Sequence, residues 1–356
     1  MINNQRCVNC VNDKTVKKIT FDKLGVCNFC NSYNKYKDKL HDYNNLEKLF
    51  IKKIKNDGSH KYDVALGFSG GKDSTYVLYK LVKEYKLKVK AYTLDNGFLS
   101  DEGKDKINRI ISELNVEHEY VVCDMTILKE MYHYIVNKYL SPCIACSFLG
   151  YAVMINYASK IDAAVGIHGR SIPQMLRNFA DDVDDYFKPF IIDGLSEEAS
   201  DLEGLYQNIL SKIEILVDKS LASKIKDTLL TESFERGFRP FISYFLYHPY
   251  NKKEIVNFLE NNTSWKVESE EEHFDCLIHH GALYLKNKVA RRHHLMPEYS
   301  VMIREGLITK EEALKLLEVN DDRRKAKLEL KQLCDYANIN YKGLMLKANI
   351  YSKRWW

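Results

Sequence analysis

The stretch DVALGFSGGKDSTYVLYKL, Asp63 to Leu81, decides the fold of this 356-residue chain. Its apolar run, Val64 to Phe68, predicts a buried strand, Ser69 to Asp73 predict a turn, and Ser74 to Lys83 predict a helix. A glycine-rich turn between a strand and a helix exposes backbone N–H groups at the positive end of the helix dipole, where phosphate oxygens bind. The pattern therefore predicts a phosphate-binding loop.

Five residues of this loop suit phosphate binding. Gly70 and Gly71 let the backbone approach a ligand closely, Ser69 and Ser74 add hydroxyl donors, and Lys72 adds positive charge. The loop is not a Walker A motif, because the spacing GxxxxGK[ST] is absent.

The hexapeptide SGGKDS, directly after an apolar strand, resembles the signature of the PP-loop ATP pyrophosphatases, or adenine nucleotide α-hydrolases. This resemblance implies a parallel-sheet nucleotide-binding core of the HUP type that binds ATP and Mg²⁺. It further implies cleavage between the α and β phosphates, with AMP placed on a substrate oxygen. By the same resemblance, Lys72 and Asp73 are candidate catalytic residues, and Ser69 to Ser74 are expected to hold the nucleotide.

Apolar strands alternate with amphipathic helices after this loop, which predicts an α/β core with a parallel sheet and ligands at the carboxyl ends of the strands. The predicted strands are VALGF, VKAYTLDN, HEYVVCD and AAVGIHG.

Three residues at these strand ends are further candidates for nucleotide binding. Asp95, at the end of the second strand, is interpreted either as a ribose or magnesium ligand or as a simple turn former. Gly169 and Arg170 follow the fourth strand, and Arg170 is either a phosphate or transition-state partner or an ordinary surface charge.

Two CxxC pairs near the N-terminus predict a structural zinc site. Cys7 and Cys10 form the first pair and Cys27 and Cys30 the second, so four thiolates can complete a closed tetrahedral site. Free thiols and an iron site are the alternatives. A closed site has no open coordination position, and its expected role is to fold this segment.

The atom that displaces AMP is predicted to be the nitrogen of ammonia, in amidotransfer to an N-acetyl sugar of surface polysaccharide or nonulosonic acid biosynthesis, with sulfur transfer to tRNA or a small amide as the alternative. For nitrogen, CVNCVNDKTVKKITFDKLGVCNFC, SGGKDS and YSVMIREGLITKEEALKL resemble the bacterial N-acetyl sugar amidotransferases. That resemblance implies a sugar-like small-molecule substrate and a separate glutaminase partner that supplies ammonia. GIHGRS replaces the tryptophan-glycine-glutamate-asparagine pattern of that family.

For sulfur, Cys143 and Cys146 in PCIAC resemble the central CxxC of tRNA two-thiolation enzymes of the same superfamily. That resemblance implies a [4Fe-4S] cluster completed by Cys276, a sulfur-donor partner, and catalytic roles for the three cysteines. Trp265 precedes Cys276 in an arrangement that suits a return of the chain to the site. The alternative is a pair of buried thiols, or thiols whose pKa is lowered at a helix start.

Composition sets the remaining expectations. With 45% hydrophobic residues, 29% charged residues and a net charge of +4, the chain is expected to be a globular cytoplasmic protein without a membrane span. RNA is a less favoured substrate than a small molecule, and a homodimer is left open. Cys123 and Cys334 are predicted core residues. The predicted regions are a zinc knuckle (1–35), a connecting helix (36–61), the PP-loop core (62–255) and a mostly helical C-terminal region that contributes Cys276 (256–356).

Overall fold

A computed structural model of the chain describes residues 5–55, 57–122, 124–177, 195, 202–229, 232–267, 276–318 and 322–352. Cys123, a predicted core residue near the end of the predicted strand HEYVVCD, lies outside the described residues. Cys334 is buried, as predicted.

The described residues contain a five-stranded sheet in which every neighbouring pair of strands is parallel. The order is β3-β2-β1-β4-β5, so the chain extends the sheet in one direction up to β3 and then in the other from β4. This confirms the predicted α/β class. The strands are β1 (Tyr62–Gly67), β2 (Val89–Asp95), β3 (Glu117–Val122), β4 (Ala163–His168) and β5 (Phe241–Ser243).

Helices connect the strands and form most of the C-terminal part, as predicted. In chain order they are α1 (Asn28–Leu40), α2 (Tyr43–Lys53), α3 (Lys72–Tyr79, continued by a π-helical turn at Lys80–Glu84), α4 (Asp101–Leu114), α5 (Met125–Tyr139), α6 (Pro142–Lys160), α7 (Ile172–Leu176), α8 (Leu202–Leu216), α9 (Lys219–Leu229), α10 (Glu232–Arg236), α11 (Lys252–Asn262), α12 (His279–Ala290), α13 (Met296–Arg304), α14 (Lys310–Leu316), α15 (Arg323–Tyr336) and α16 (Tyr341–Tyr351).

The strand order places a topological switch point between β1 and β4. Doubly wound sheets bind ligands outside the carboxyl ends of the strands at such a point. The centres of β1 and β4 are fully buried, with Val64, Leu66, Val165 and Ile167 all without exposed surface. Packing on both faces therefore fixes the two strands from which the loops at this point begin.

The segment before the sheet differs from the single connecting helix predicted for 36–61. It contains the end of α1 and then a separate helix, α2, because the Asp42 carboxylate accepts a hydrogen bond from the Asn45 N–H and starts a new helix there. Phe50 and Leu46 of α2 belong to the main core. The domain boundaries predicted from the sequence stay predictions.

A second, smaller core surrounds the four N-terminal cysteines. It includes Val11 and Val16 from the N-terminal segment, and Met296 and Ala313 from α13 and α14. The helix α14 begins at Thr309 with a capping box to Glu312. N-terminal and C-terminal residues therefore form one packed unit.

The helix α6 is long and apolar enough to cross a membrane, but most of it is buried within the protein. It runs along the sheet, where Ala158 lies close to Gly166 of β4. A helix buried in this way is a core helix, so the described residues give no clear membrane span.

We expect Gly166→Ala to destabilise the sheet. A Cβ at Gly166 would lie 2.6 Å from Cδ2 of Phe241, its neighbour on β5, so the buried ring would have to move. Overpacking of this kind costs about 1–3 kcal/mol of unfolding free energy, measurable by chemical denaturation.

The matched control is Gly150→Ala in α6, where a new Cβ meets no atom within 4 Å. Alanine should stabilise that helix by roughly 0.5–1 kcal/mol. Equal effects at both positions would contradict the packing described here.

Candidate functional site

The loop after β1 is shaped by one residue with left-handed backbone. Gly70 has φ +73°, and a Cβ there would lie 2.9 Å from Cγ1 of Ile107 on α4. Gly71 then caps α3 with extended backbone. The loop thus rests directly on α4, and the first N–H groups of α3 lie at the carboxyl end of β1.

Two serine hydroxyls hold the loop in this shape. The Ser69 N–H donates to Ser74 Oγ over 3.3 Å, and the Ser74 hydroxyl donates to the Gly71 carbonyl over 3.1 Å. The two hydroxyl oxygens lie 3.2 Å apart. Ser69 and Ser74 therefore order the loop, in addition to the donor role that the sequence predicts for them.

Lys72 and Asp73 lie at the start of α3 as an ion pair, with 3.2 Å between Lys72 Nζ and Asp73 Oδ2. Both side chains are mostly shielded, at 18% and 12% exposure. A shielded cation beside the helix N-terminus attracts phosphate, and a neighbouring carboxylate is the kind of oxygen ligand that Mg²⁺ prefers.

The end of β4 lies against the same helix turn. A Cβ at Gly169 would come within 3.1 Å of the Asp73 carbonyl and of Ser74 Cα. The next residue, Arg170, donates a hydrogen bond to the Tyr151 hydroxyl and stacks over the Tyr151 ring, 4.6 Å from its centroid. The structure therefore places Gly169 beside the loop, whereas the Arg170 guanidinium packs against Tyr151 of α6.

Asp95 acts as a turn former at the end of β2. Its Oδ1 accepts a hydrogen bond from the Gly97 N–H over 2.9 Å, and its Oδ2 lies 3.9 Å from Lys104 Nζ. Of the two interpretations of Asp95, the structure shows the turn-forming role. The role as a ribose or magnesium ligand stays a prediction.

Two of the three core cysteines contact the loop between β2 and α4, but the three thiols do not form a group within 4.8 Å of one another as the four N-terminal cysteines do. Cys146 is hydrogen bonded to the Tyr132 hydroxyl over 2.9 Å, and Asn96 Nδ2 donates to the same sulfur over 3.4 Å. Cys276 forms an antiparallel bridge with Leu99 of this loop. Cys143 lies one turn before Cys146 in α6.

The Tyr132 hydroxyl has a raised pKa. Burial raises the pKa of its hydroxyl well above the usual value, and Cys146, Cys276 and Cys143 add to the increase. One buried tyrosine therefore contacts Cys146 and lies near enough to Cys143 and Cys276 for their charges to affect its pKa.

The Cys143 and Cys146 thiols are not of the reactive, low-pKa kind. Burial raises the pKa of Cys146 to about 11 and also raises that of Cys143, although Lys286 and Arg177 oppose the increase at Cys143. This direction is opposite to the interpretation in which a helix start activates the pair.

The four N-terminal cysteines form a compact, fully buried group. Their sulfur atoms all lie within 4.8 Å of one another, with 3.9 Å between Cys7 and Cys30 and 3.8 Å between Cys10 and Cys27. An ion about 2.3 Å from four tetrahedral sulfur ligands separates those sulfurs by about 3.8 Å. The spacing therefore fits one tetrahedral metal ion.

Side chains from the C-terminal helices complete the surroundings of this group. Arg304 donates to Cys30 Sγ over 3.5 Å, and Lys310 Nζ donates to the Cys7 carbonyl over 2.9 Å. Positive charge beside four thiolates offsets the negative charge of such a site and orients its ligands.

Sequence analysis did not assign site roles to Trp265, Tyr132 and Asn96. The sequence indicates only that the chain returns to the site after Trp265. In the structure the Trp265 indole N–H donates a hydrogen bond of 3.3 Å to the Gly70 carbonyl. Tyr132 and Asn96 carry no motif, and only their position beside Cys146 identifies them.

No family model matches this chain. It is 30% identical over 149 residues to an uncharacterized protein of Methanocaldococcus jannaschii, an alignment that spans 40% of this chain and about half (51%) of that relative.

Two solved structures are similar to the chain at low sequence identity. The U34-tRNA thiolase NcsA from Methanococcus maripaludis with its [4Fe-4S] cluster aligns with a TM-score of 0.38 and 16% identity, over 90% of this chain and 91% of that chain. The NH3-dependent NAD synthetase from Campylobacter jejuni in complex with nitrate aligns with a TM-score of 0.30 and 17% identity, over 57% of this chain and 96% of that chain.

Proposed function

We propose that this chain is an ATP-dependent enzyme of the PP-loop type that adenylates a carbonyl or amide oxygen and releases pyrophosphate. The observation that carries the proposal is the position of SGGKDS at the carboxyl end of β1, at the switch point beside β4. Ligands of doubly wound sheets bind outside the carboxyl ends of the strands at such a switch point. A nucleophile then attacks the activated carbon, and AMP leaves with the former substrate oxygen.

The loop supplies what the first step needs. The N–H groups at the start of α3 and the Lys72 ammonium bind phosphate oxygens and stabilise the negative charge that grows on the α-phosphate and on the departing pyrophosphate. Close packing of Gly70 on α4 and of Gly169 on α3 keeps these donors in place. Asp73 and Asp95 are the carboxylates that would hold Mg²⁺, which neutralises phosphate charge when bound.

Sulfur is the nucleophile that the geometry favours. Cys146 contacts Tyr132 and Asn96, Cys276 pairs with Leu99 of the β2–α4 loop, and Cys143 lies one turn before Cys146, all on the same edge of the sheet as the phosphate loop. Three thiolates would hold a [4Fe-4S] cluster and leave one iron for a sulfur ligand. Hydrogen bonds between Cys146 and its neighbours Tyr132 and Asn96 are the kind that support a cluster ligand.

Nitrogen transfer to an N-acetyl sugar, with ammonia from a glutaminase partner, is the second candidate. One observation favours it: the two terminal stretches that resemble the sugar amidotransferases, 7–30 and 299–316, pack on each other around the four cysteines. This contact makes them a single unit, which we propose is a zinc site. It does not involve the three core thiols.

Lys72→Met should lower substrate-dependent formation of AMP and pyrophosphate by about 100-fold or more, because it removes a preorganised charge at the phosphates. The measurement is quantification of nucleotides after incubation with ATP and either candidate acetamido sugars plus ammonia or tRNA plus a sulfur donor. Lys83→Met, an exposed lysine just beyond α3, is the control and should retain activity. Formation of ADP and phosphate would contradict adenylation.

Protein purified without oxygen should be brown and contain iron, and Cys143→Ala should lose both the colour and the iron. Cys334→Ala is the matched control, because Cys334 is a buried thiol of α15 that should not ligate the cluster. Absorption spectroscopy and iron analysis give the answer. A colourless protein that converts an acetamido sugar with ammonia would reject sulfur and support nitrogen.

Cys10→Ser should remove about one zinc per chain and destabilise the fold, while the iron content stays unchanged. Zinc is released because one of four buried ligands is lost, and apo sites of this kind do not stay folded. Metal analysis together with thermal unfolding checks this expectation. Zinc that persists in Cys10→Ser would show that these cysteines are not its ligands.

A further inference from the structure

The phosphate loop receives a hydrogen bond from a side chain almost two hundred residues away. The indole N–H of Trp265 donates to the Gly70 carbonyl over 3.3 Å, and Trp265 is only 6% exposed. Gly70 is the residue with φ +73° that turns the loop toward α3. The contact therefore acts on the backbone at the point where the loop changes direction.

A bond to this carbonyl also fixes the next N–H. Peptide bonds are planar, and none in the described residues is cis, so the Gly71 N–H points away from the Gly70 carbonyl. The Trp265 indole lies on one side of this peptide, and on the other side the Gly71 N–H donates to Ser69 Oγ over 3.4 Å. The indole and Ser69 thus hold the two sides of one peptide inside the loop.

The indole is itself held firmly in place. Lys106 Nζ lies 4.7 Å from the centre of its ring and donates to the Lys266 carbonyl over 3.3 Å. The backbone N–H of Trp265 donates to Thr263 Oγ1 over 3.1 Å, and the Ser264 hydroxyl donates to the carboxylate of Glu113 in α4. Contacts with α4 and with the end of α11 therefore orient the ring before it meets the loop.

We propose that Trp265 is a positioning residue for ATP: it holds the Gly70–Gly71 peptide, and with it the shape of the loop that leads into the first turn of α3, where the phosphates would bind. This inference rests on the proposed function for its ligand. The contact between the indole and the peptide can be tested without ATP.

The test uses a property of the sequence, in which Gly70–Gly71 is the one Gly-Gly pair among 16 glycines. In protein labelled with carbonyl-¹³C, ¹⁵N glycine, the correlation between an amide and the preceding labelled carbonyl gives a single NMR peak, which belongs to this peptide. Trp265→Phe keeps an aromatic ring under Lys106 but removes the donor. We expect this peak to move, and the Kd for ATP to rise about tenfold, as for one lost hydrogen bond.

Lys83→Met is the control, because Lys83 is exposed and lies beyond the end of α3. It should leave both the peak and the ATP affinity unchanged. An unmoved peak in folded Trp265→Phe overturns the inference, and so does a moved peak with ATP affinity within about twofold of wild type. A wild-type chain that binds no ATP overturns the proposed function, and the peak still tests the indole contact.

Discussion

The site depends on two places where backbone packs against a neighbouring element with no room for a side chain. At Gly169, the end of β4 meets the first turn of α3, and at Gly70 the loop meets Ile107 of α4. These approaches join two strands and two helices at one point. The donors of the loop are consequently fixed against β4 and α4, and the centres of β1 and β4 are fully buried.

Much of this arrangement is readable from sequence, and the parts that are not share a physical cause. The SGGKDS turn, the parallel sheet and the paired cysteines follow from local pattern, because each depends on neighbouring residues or short spacings. Strand β5 was missed because three residues, Phe241–Ser243, are too few to show a periodicity. The break at Asp42 was missed because a capping aspartate resembles any other polar residue of a lysine-rich helix.

Contacts between distant residues were the other part that sequence could not give. Trp265 meets Gly70, and Tyr132 meets Cys146, only because the sheet brings their helices and loops together. Asp95 shows a further limit, since the same carboxylate can form a turn and face a ligand. Residue type alone does not choose between those roles.

The contacts around the four cysteines also bear on how the chain is made. Lys310 binds the Cys7 carbonyl across 303 residues of sequence, and Ser300 binds Asn12 across 288. During synthesis the cysteine segment therefore leaves the ribosome long before its packing partners exist. We expect the packing of this segment against α13 and α14 to be completed only after translation has passed α14.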